Sequence, residues 1–172
     1  MAFLILLNPK LYKMNSCKYA IWGFVVIISF LITQCKNDQK AVAKHGELIE
    51  KYPSGELEKK YPLLYGKKEG QGQWYYKDGK LRGIINYKDG LQEGKTEYYY
   101  ESGNLREVQY YMGGKRFGMD TVWNENGQII QINQFDNGKL QGDQYNFDTA
   151  GTMVRHAIFN ADTVVNVIDL KK

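Results

Sequence analysis

The chain has 172 residues, the size of one ordinary domain, and 14% of them are aromatic. With 18 Gly but only 3 Pro and 2 Cys, it is neither a Pro-rich linker nor a disulfide scaffold. The net charge of +4 owes most to Lys10, Lys13 and Lys18, since 20 basic and 19 acidic residues follow Cys35; no concentrated basic face for nucleic acid is visible.

Residues 1–34 differ from the rest. Ala20 to Ile32 is a 13-residue apolar run behind Lys13 and Lys18, short for a membrane span and right for the core of a signal peptide. Leu31-Ile32-Thr33-Gln34-Cys35 closes it and resembles the lipobox of bacterial lipoproteins, whose last cysteine is acylated. Gln34 departs from the small residue usual at that place, and Met14 offers an alternative start that would leave out residues 1–13. The resemblance implies lipidation of Cys35, a membrane anchor and location in the cell envelope. Residues 35–45, polar after Cys35, read as a tether, and residues 46–172 as one repeat domain. Cys17 lies in the removable segment, so no disulfide is expected.

Within the domain a 24-residue period is visible in the glycines. A first anchor recurs at Gly55, Gly79, Gly103, Gly127 and Gly151. A second follows at Gly66, Gly90, Gly114 and Gly138, and a third at Gly70, Gly94, Gly118 and Gly142. The last copy has Asp162 and Asn166 instead, as expected of a cap. Apolar columns keep the same register, for example Leu63, Tyr87, Tyr111, Phe135 and Phe159. Glycines fixed in register mark turns. Asp78-Gly79 and Asn126-Gly127 predict type I′ hairpins, and the Gly90–Gly94 type of element predicts a second, wider turn. The runs between, rich in Tyr, Ile, Val and Trp, predict strands. The expectation is an all-β, elongated antiparallel meander of about five stacked hairpins, ending in Thr163–Leu170 as an edge strand.

Side chains alternate across a strand, so Tyr75, Tyr99, Trp123 and Phe147 are expected on one face, as a core. Trp74, Tyr76, Tyr98 and Tyr100 are then expected on the other, wetter face as a candidate binding strip.

The spacing D-G-x-L … Y-x-x-G-x-x-x-G-x-x-x-x-Y, from about Tyr52 to Phe159, resembles the bacterial variant of the MORN repeat. That resemblance implies a meander that lengthens with copy number and little about activity; some relatives carry an antitoxin label. Gly72 to Leu81 also resembles a choline-binding or cell-wall-binding repeat, which implies aromatic cages for a quaternary ammonium group. Against it, Trp74 becomes Tyr98, Val122 and Asn146 in later copies.

No catalytic constellation stands out. Ser54 and Ser102, the two serines after Cys35, sit in turns, and His45 and His156 lack ligand spacing, so no metal or cofactor is expected. The glycines lack the G-K-[ST] ending of a phosphate loop. The expected role is a non-catalytic envelope lipoprotein, membrane-attached through its lipid, that scaffolds a protein partner. The alternatives are a glycan or cell-wall binder and an immunity protein that captures a toxin.

Overall fold

The computed structural model describes residues 4–6 and 44–170; Cys35, Gln34, Met14 and most of the expected signal and tether lie outside the described residues. Everything described is strand or turn, in one sheet with every pairing antiparallel. Strand β1 (Leu4–Leu6) pairs with β2 (His45–Lys51), and the chain then runs up and down in sequence order. The order is β3 (Leu57–Leu64), β4 (Lys67–Lys68) leading into β5 (Gly70–Tyr75), β6 (Leu81–Lys88), β7 (Leu91–Tyr99) and β8 (Leu105–Met112). Then come β9 (Lys115–Arg116) leading into β10 (Gly118–Trp123), β11 (Ile129–Asp136), β12 (Lys139–Phe147), β13 (Met153–Asn160) and β14 (Thr163–Asp169). The fold is an antiparallel β-meander of tandem hairpins.

The two kinds of turn are the reverse of those expected from dipeptides. At the first anchor, Gly79 N–H donates to the Tyr76 carbonyl and Tyr76 N–H to the Lys80 carbonyl, with Gly79 at φ 85°. Asp78 is not among the positive-φ residues, so this is a three-residue loop of a type I turn plus a glycine bulge, repeated at Gly55, Gly103, Gly127 and Gly151. The two-residue type I′ turns lie at the second anchor. Asp89 and Gly90 have φ of 52° and 89° between the paired residues Lys88 and Leu91. Tyr65-Gly66, Gly113-Gly114, Asn137-Gly138 and Ala161-Asp162 do the same. The third anchors, Gly70, Gly94, Gly118 and Gly142, also have positive φ and pair with the aromatic column Tyr87, Tyr111, Phe135 and Phe159; Gly70 and Gly118 open their strands, while Gly94 and Gly142 lie within β7 and β12.

Successive units are laced at both ends of the strands. At the I′ end, Gly90, Gly114 and Gly138 donate their N–H to the carbonyls of Lys68, Gln92 and Arg116 at 2.8–2.9 Å. At the other end, the Tyr52, Tyr76 and Tyr100 hydroxyls donate to the carbonyls of Tyr75, Tyr99 and Trp123 at 2.7–2.8 Å.

One row across the middle of the sheet is buried: Tyr61, Gly72, Ile85, Thr96, Gln109, Asp120, Asn133 and Ala157. Register places these residues beside one another, so they share a face, here called the inner face. Gly72 and Gly83 explain part of the burial. A Cβ on Gly72 would come within 2.8 Å of the Tyr61 ring, and one on Gly83 within 2.9 Å of the Tyr98 ring. The aromatic rings therefore lie down on bare backbone.

Candidate functional site

Trp74 is paired with Gly83, and Gly83 in turn with Tyr98, so Trp74 and Tyr98 flank the glycine on the inner face. Their ring centroids are 5.9 Å apart. This face was expected to be the wetter one; it is the more buried, because Gly72 and Gly83 admit the rings. Tyr76 and Tyr100 part from the other two members of the expected strip. They sit at the hairpin ends and spend their hydroxyls on the backbone of the next unit.

The chain's own cations cover several inner-face rings. Lys59 Nζ lies 5.2 Å from the Trp74 ring centroid, Lys68 Nζ 3.5 Å from that of Tyr61, and the Arg106 guanidinium 5.5 Å from that of Tyr98. Tyr61 and Tyr87 meet edge to face at 5.7 Å. Burial pushes the hydroxyls of Tyr61, Tyr87 and Tyr98 up to about 12, so all three stay neutral donors at physiological pH.

At the centre of the face is a carboxylate cluster. Asp120 on β10 is 2% exposed, and neither of its oxygens has a hydrogen-bond partner among the described residues. Arg116 Nη1 lies 3.1 Å from Asp120 Oδ2, and Arg116 Nη2 3.6 Å from Glu107 Oε1. The contact to Asp120 is thus an ion pair without hydrogen-bond alignment. Gln109 Nε2 donates to Glu107, and the Tyr111 hydroxyl donates to Gln109 Oε1 at 2.7 Å. Burial, and then the Glu107 charge, push the Asp120 carboxyl up to about 6 against the pull of Arg116. Thr96 Oγ1 and Trp74 Nε1, on the same face, are likewise buried without a partner. Among the described residues no group of three His, Cys, Asp or Glu side chains is placed to hold a metal ion.

Most of these residues escaped sequence reading. The buried row draws on two columns: six residues after the first anchor stand Tyr61, Ile85, Gln109, Asn133 and Ala157, apolar in only three copies, and seventeen after it stand Gly72, Thr96 and Asp120. Strict alternation from the aromatic column Tyr87 and Tyr111 would have placed Ile85 and Gln109 on its face.

The fold defines a tandem β-hairpin repeat protein with one face lined by aromatic and charged side chains. The family model described as the MORN repeat variant matches residues 68–89 and 92–112. Each matched segment spans one hairpin closed by a first-anchor turn, at Gly79 and Gly103. No curated protein matches the chain. The repeat-based β-hairpin architecture is consistent with a binding scaffold.

Proposed function

We propose that this is a non-catalytic scaffold of the bacterial cell envelope, anchored through lipid on Cys35, that holds a protein partner on its inner face. The observation that carries the reading is unspent hydrogen-bonding capacity. Among the described residues Trp74 Nε1, Thr96 Oγ1 and both Asp120 oxygens are buried on one face without hydrogen-bond partners, the Asp120 carboxylate meeting Arg116 only as an ion pair. Orphaned buried groups cost free energy, so a face that collects several suits a partner that displaces the side chains covering them and brings an additional donor and acceptor set. The Asp120 carboxylate calls for donors, such as lysine, arginine or main-chain N–H groups. A quaternary-ammonium or glycan ligand is less well served, because Lys59 and Arg106 already lie over Trp74 and Tyr98. The lipobox-like sequence ending at Cys35 supports the anchor.

The test is site-specific photo-crosslinking in the protein's own cells, with a benzophenone amino acid at Tyr98 on the inner face or at Tyr99, its neighbour in the strand. An adduct with a different protein from Tyr98, and none with a different protein from Tyr99, is expected. Wall polymer alone at Tyr98, or an adduct only from Tyr99, overturns the reading. For the anchor, metabolic labelling with an alkyne fatty acid is expected to mark the parent chain and not Cys35→Ser; equal labelling of both refutes it.

A further inference from the structure

The repeats serve as controls for one another. What the fold requires of a column is met in several copies, so a local departure from the column asks for another cause. Tyr110, Met112, Phe117 and Met119 are such departures. The copy before carries Asn86, Lys88, Glu93 and Lys95 at those columns, and the copy after carries Gln134, Asp136, Gln141 and Asp143; apolar residues recur there only in the first and last copies, at the ends of the sheet, as Pro62, Leu64, Ile158, Val165 and Val167. Leu91 is a fifth, where Lys67, Lys115 and Lys139 stand in other copies. All five apolar side chains are between 43% and 58% exposed.

The five are neighbours. Tyr110 and Met112 alternate with the inner residues Gln109 and Tyr111 on β8, and so point outward; Met119 precedes inner Asp120 on β10. Phe117 N–H donates to the Tyr110 carbonyl, and Leu91 lies 3.5 Å from where a Cβ on Gly114 would stand. The substitution at Phe117 also removes a bond. Glu69, Glu93 and Gln141, its column mates, accept the N–H of Asp89, Gly113 and Ala161 in the next I′ turn at 2.7–3.0 Å, which a phenyl ring cannot do. Fold stability alone favours a polar residue there.

We infer that this outer-face patch is the contact between two copies of the chain, packed face to face about a two-fold axis running along β8. The charges on either side commit the patch to a second copy. Lys88 on β6 and Asp136 on β11 lie one repeat before and one repeat after Met112, at the same height along their strands. Both are exposed, and neither has an ion-pair partner among the described residues. A two-fold along β8 sets β6 over β11 of the second copy, and so Lys88 over its Asp136, twice. Sheets packed face to face sit about 10 Å apart, within the joint reach of a lysine and an aspartate side chain. Met112 meets Met112 at the axis, and Leu91 lies over the aliphatic stem of Lys115 of the second copy. The contact is isologous and closes on itself. It uses the face opposite Trp74 and Asp120 and stands independently of the inner-face reading.

The test uses the full chain in its own cells with mild oxidation. Met112→Cys alone is expected to give a disulfide-linked dimer above the background of the parent chain, which has Cys17 and Cys35. Phe117→Glu with Met119→Lys, both borrowed from the preceding repeat, is expected to abolish that band. Lys88→Asp is expected to weaken it, and Lys88→Asp with Asp136→Lys to restore it. An unaltered β-type circular dichroism spectrum of each purified variant separates lost contact from lost fold. The inference is overturned if Met112→Cys gives no dimer, if Val167→Cys on the exposed edge strand β14 gives one instead, or if the charge swap fails to rescue.

Discussion

The hydroxyl of Tyr76 donates a 2.7 Å hydrogen bond to the main-chain carbonyl of Tyr99, almost one full repeat downstream. The same bond joins Tyr52 to Tyr75 and Tyr100 to Trp123, and the series stops where Asn124 and Asp148 replace the tyrosine. Within one chain the single sheet has no second layer to fix the spacing of its hairpins, so these side-chain bonds hold one hairpin end to the next. Tyr76→Phe removes the donor and keeps the ring. It is expected to lower stability by about 1 kcal/mol, read as a shift in the urea midpoint with an unchanged slope. Asn124→Tyr extends the series and is expected to change the midpoint far less; a Tyr76→Phe midpoint equal to the parent's shows that the bond contributes nothing.

Two classes of glycine are expected to fail in different ways. Gly83 has an ordinary φ, but a Cβ there would meet the Tyr98 ring at 2.9 Å and the Glu97 carbonyl at 3.1 Å. Gly83→Ala is therefore expected to cost about 1–3 kcal/mol by overpacking and to displace Tyr98, visible as a change in near-ultraviolet circular dichroism. Gly79 has φ 85° and open space around it. Gly79→Ala is expected to cost about 1 kcal/mol from left-handed strain while leaving the aromatic signal intact. Equal aromatic signatures for the two variants contradict this division.

The period, the turn positions and the meander were legible because glycine in register leaves a mark that no side-chain chemistry disguises. The turn types were not, since Asp-Gly occurs at both kinds of turn, Asp78-Gly79 and Asp89-Gly90. What separates them is loop length, two residues between the paired Lys88 and Leu91 and a bulged loop around Gly79. In the sequence a uniformly aromatic column marks the face of Tyr75 and Tyr99 as the buried one. The real inner row mixes Tyr61, Ile85, Gln109 and Asn133. The room that Gly72 and Gly83 leave for the Tyr61 and Tyr98 rings, and not hydrophobicity by column, marks the buried face. Of the four residues in the expected strip, Trp74 and Tyr98 do share the inner face, while Tyr76 and Tyr100 serve the joints between units.

The type I′ turns place a non-glycine residue first in left-handed backbone, at Tyr65, Asp89, Asn137 and Ala161. Asp and Asn tolerate that conformation better than Tyr or Ala. Ala161→Asn is therefore expected to stabilise the last hairpin by a few tenths to about 1 kcal/mol, measured as slower amide exchange in β13 and β14. Faster exchange in those strands argues against an I′ turn at Ala161-Asp162.

Asp120 makes folding stability depend on pH in the unusual direction for a carboxylate. Its pKa is raised from the usual 3.8 to about 6 by burial first and by Glu107 second, with Arg116 opposing. The folded chain then binds the proton more tightly than the unfolded chain does. The stabilising contribution is fully present below the unfolded value near 3.8 and is lost as pH rises through about 6. The difference between the parent and Asp120→Asn isolates this group from the other carboxylates. The variant keeps the shape and removes the charge, so it is expected to be more stable than the parent above pH 6 by on the order of 2 kcal/mol. Toward pH 4 the two urea midpoints are expected to converge. A constant difference across the range refutes the raised pKa. If a partner supplies the missing donors on the inner face, its binding to the parent is expected to flatten the same pH dependence, because the ion then replaces the proton as the satisfied state. Binding that leaves the slope unchanged places the partner away from Asp120.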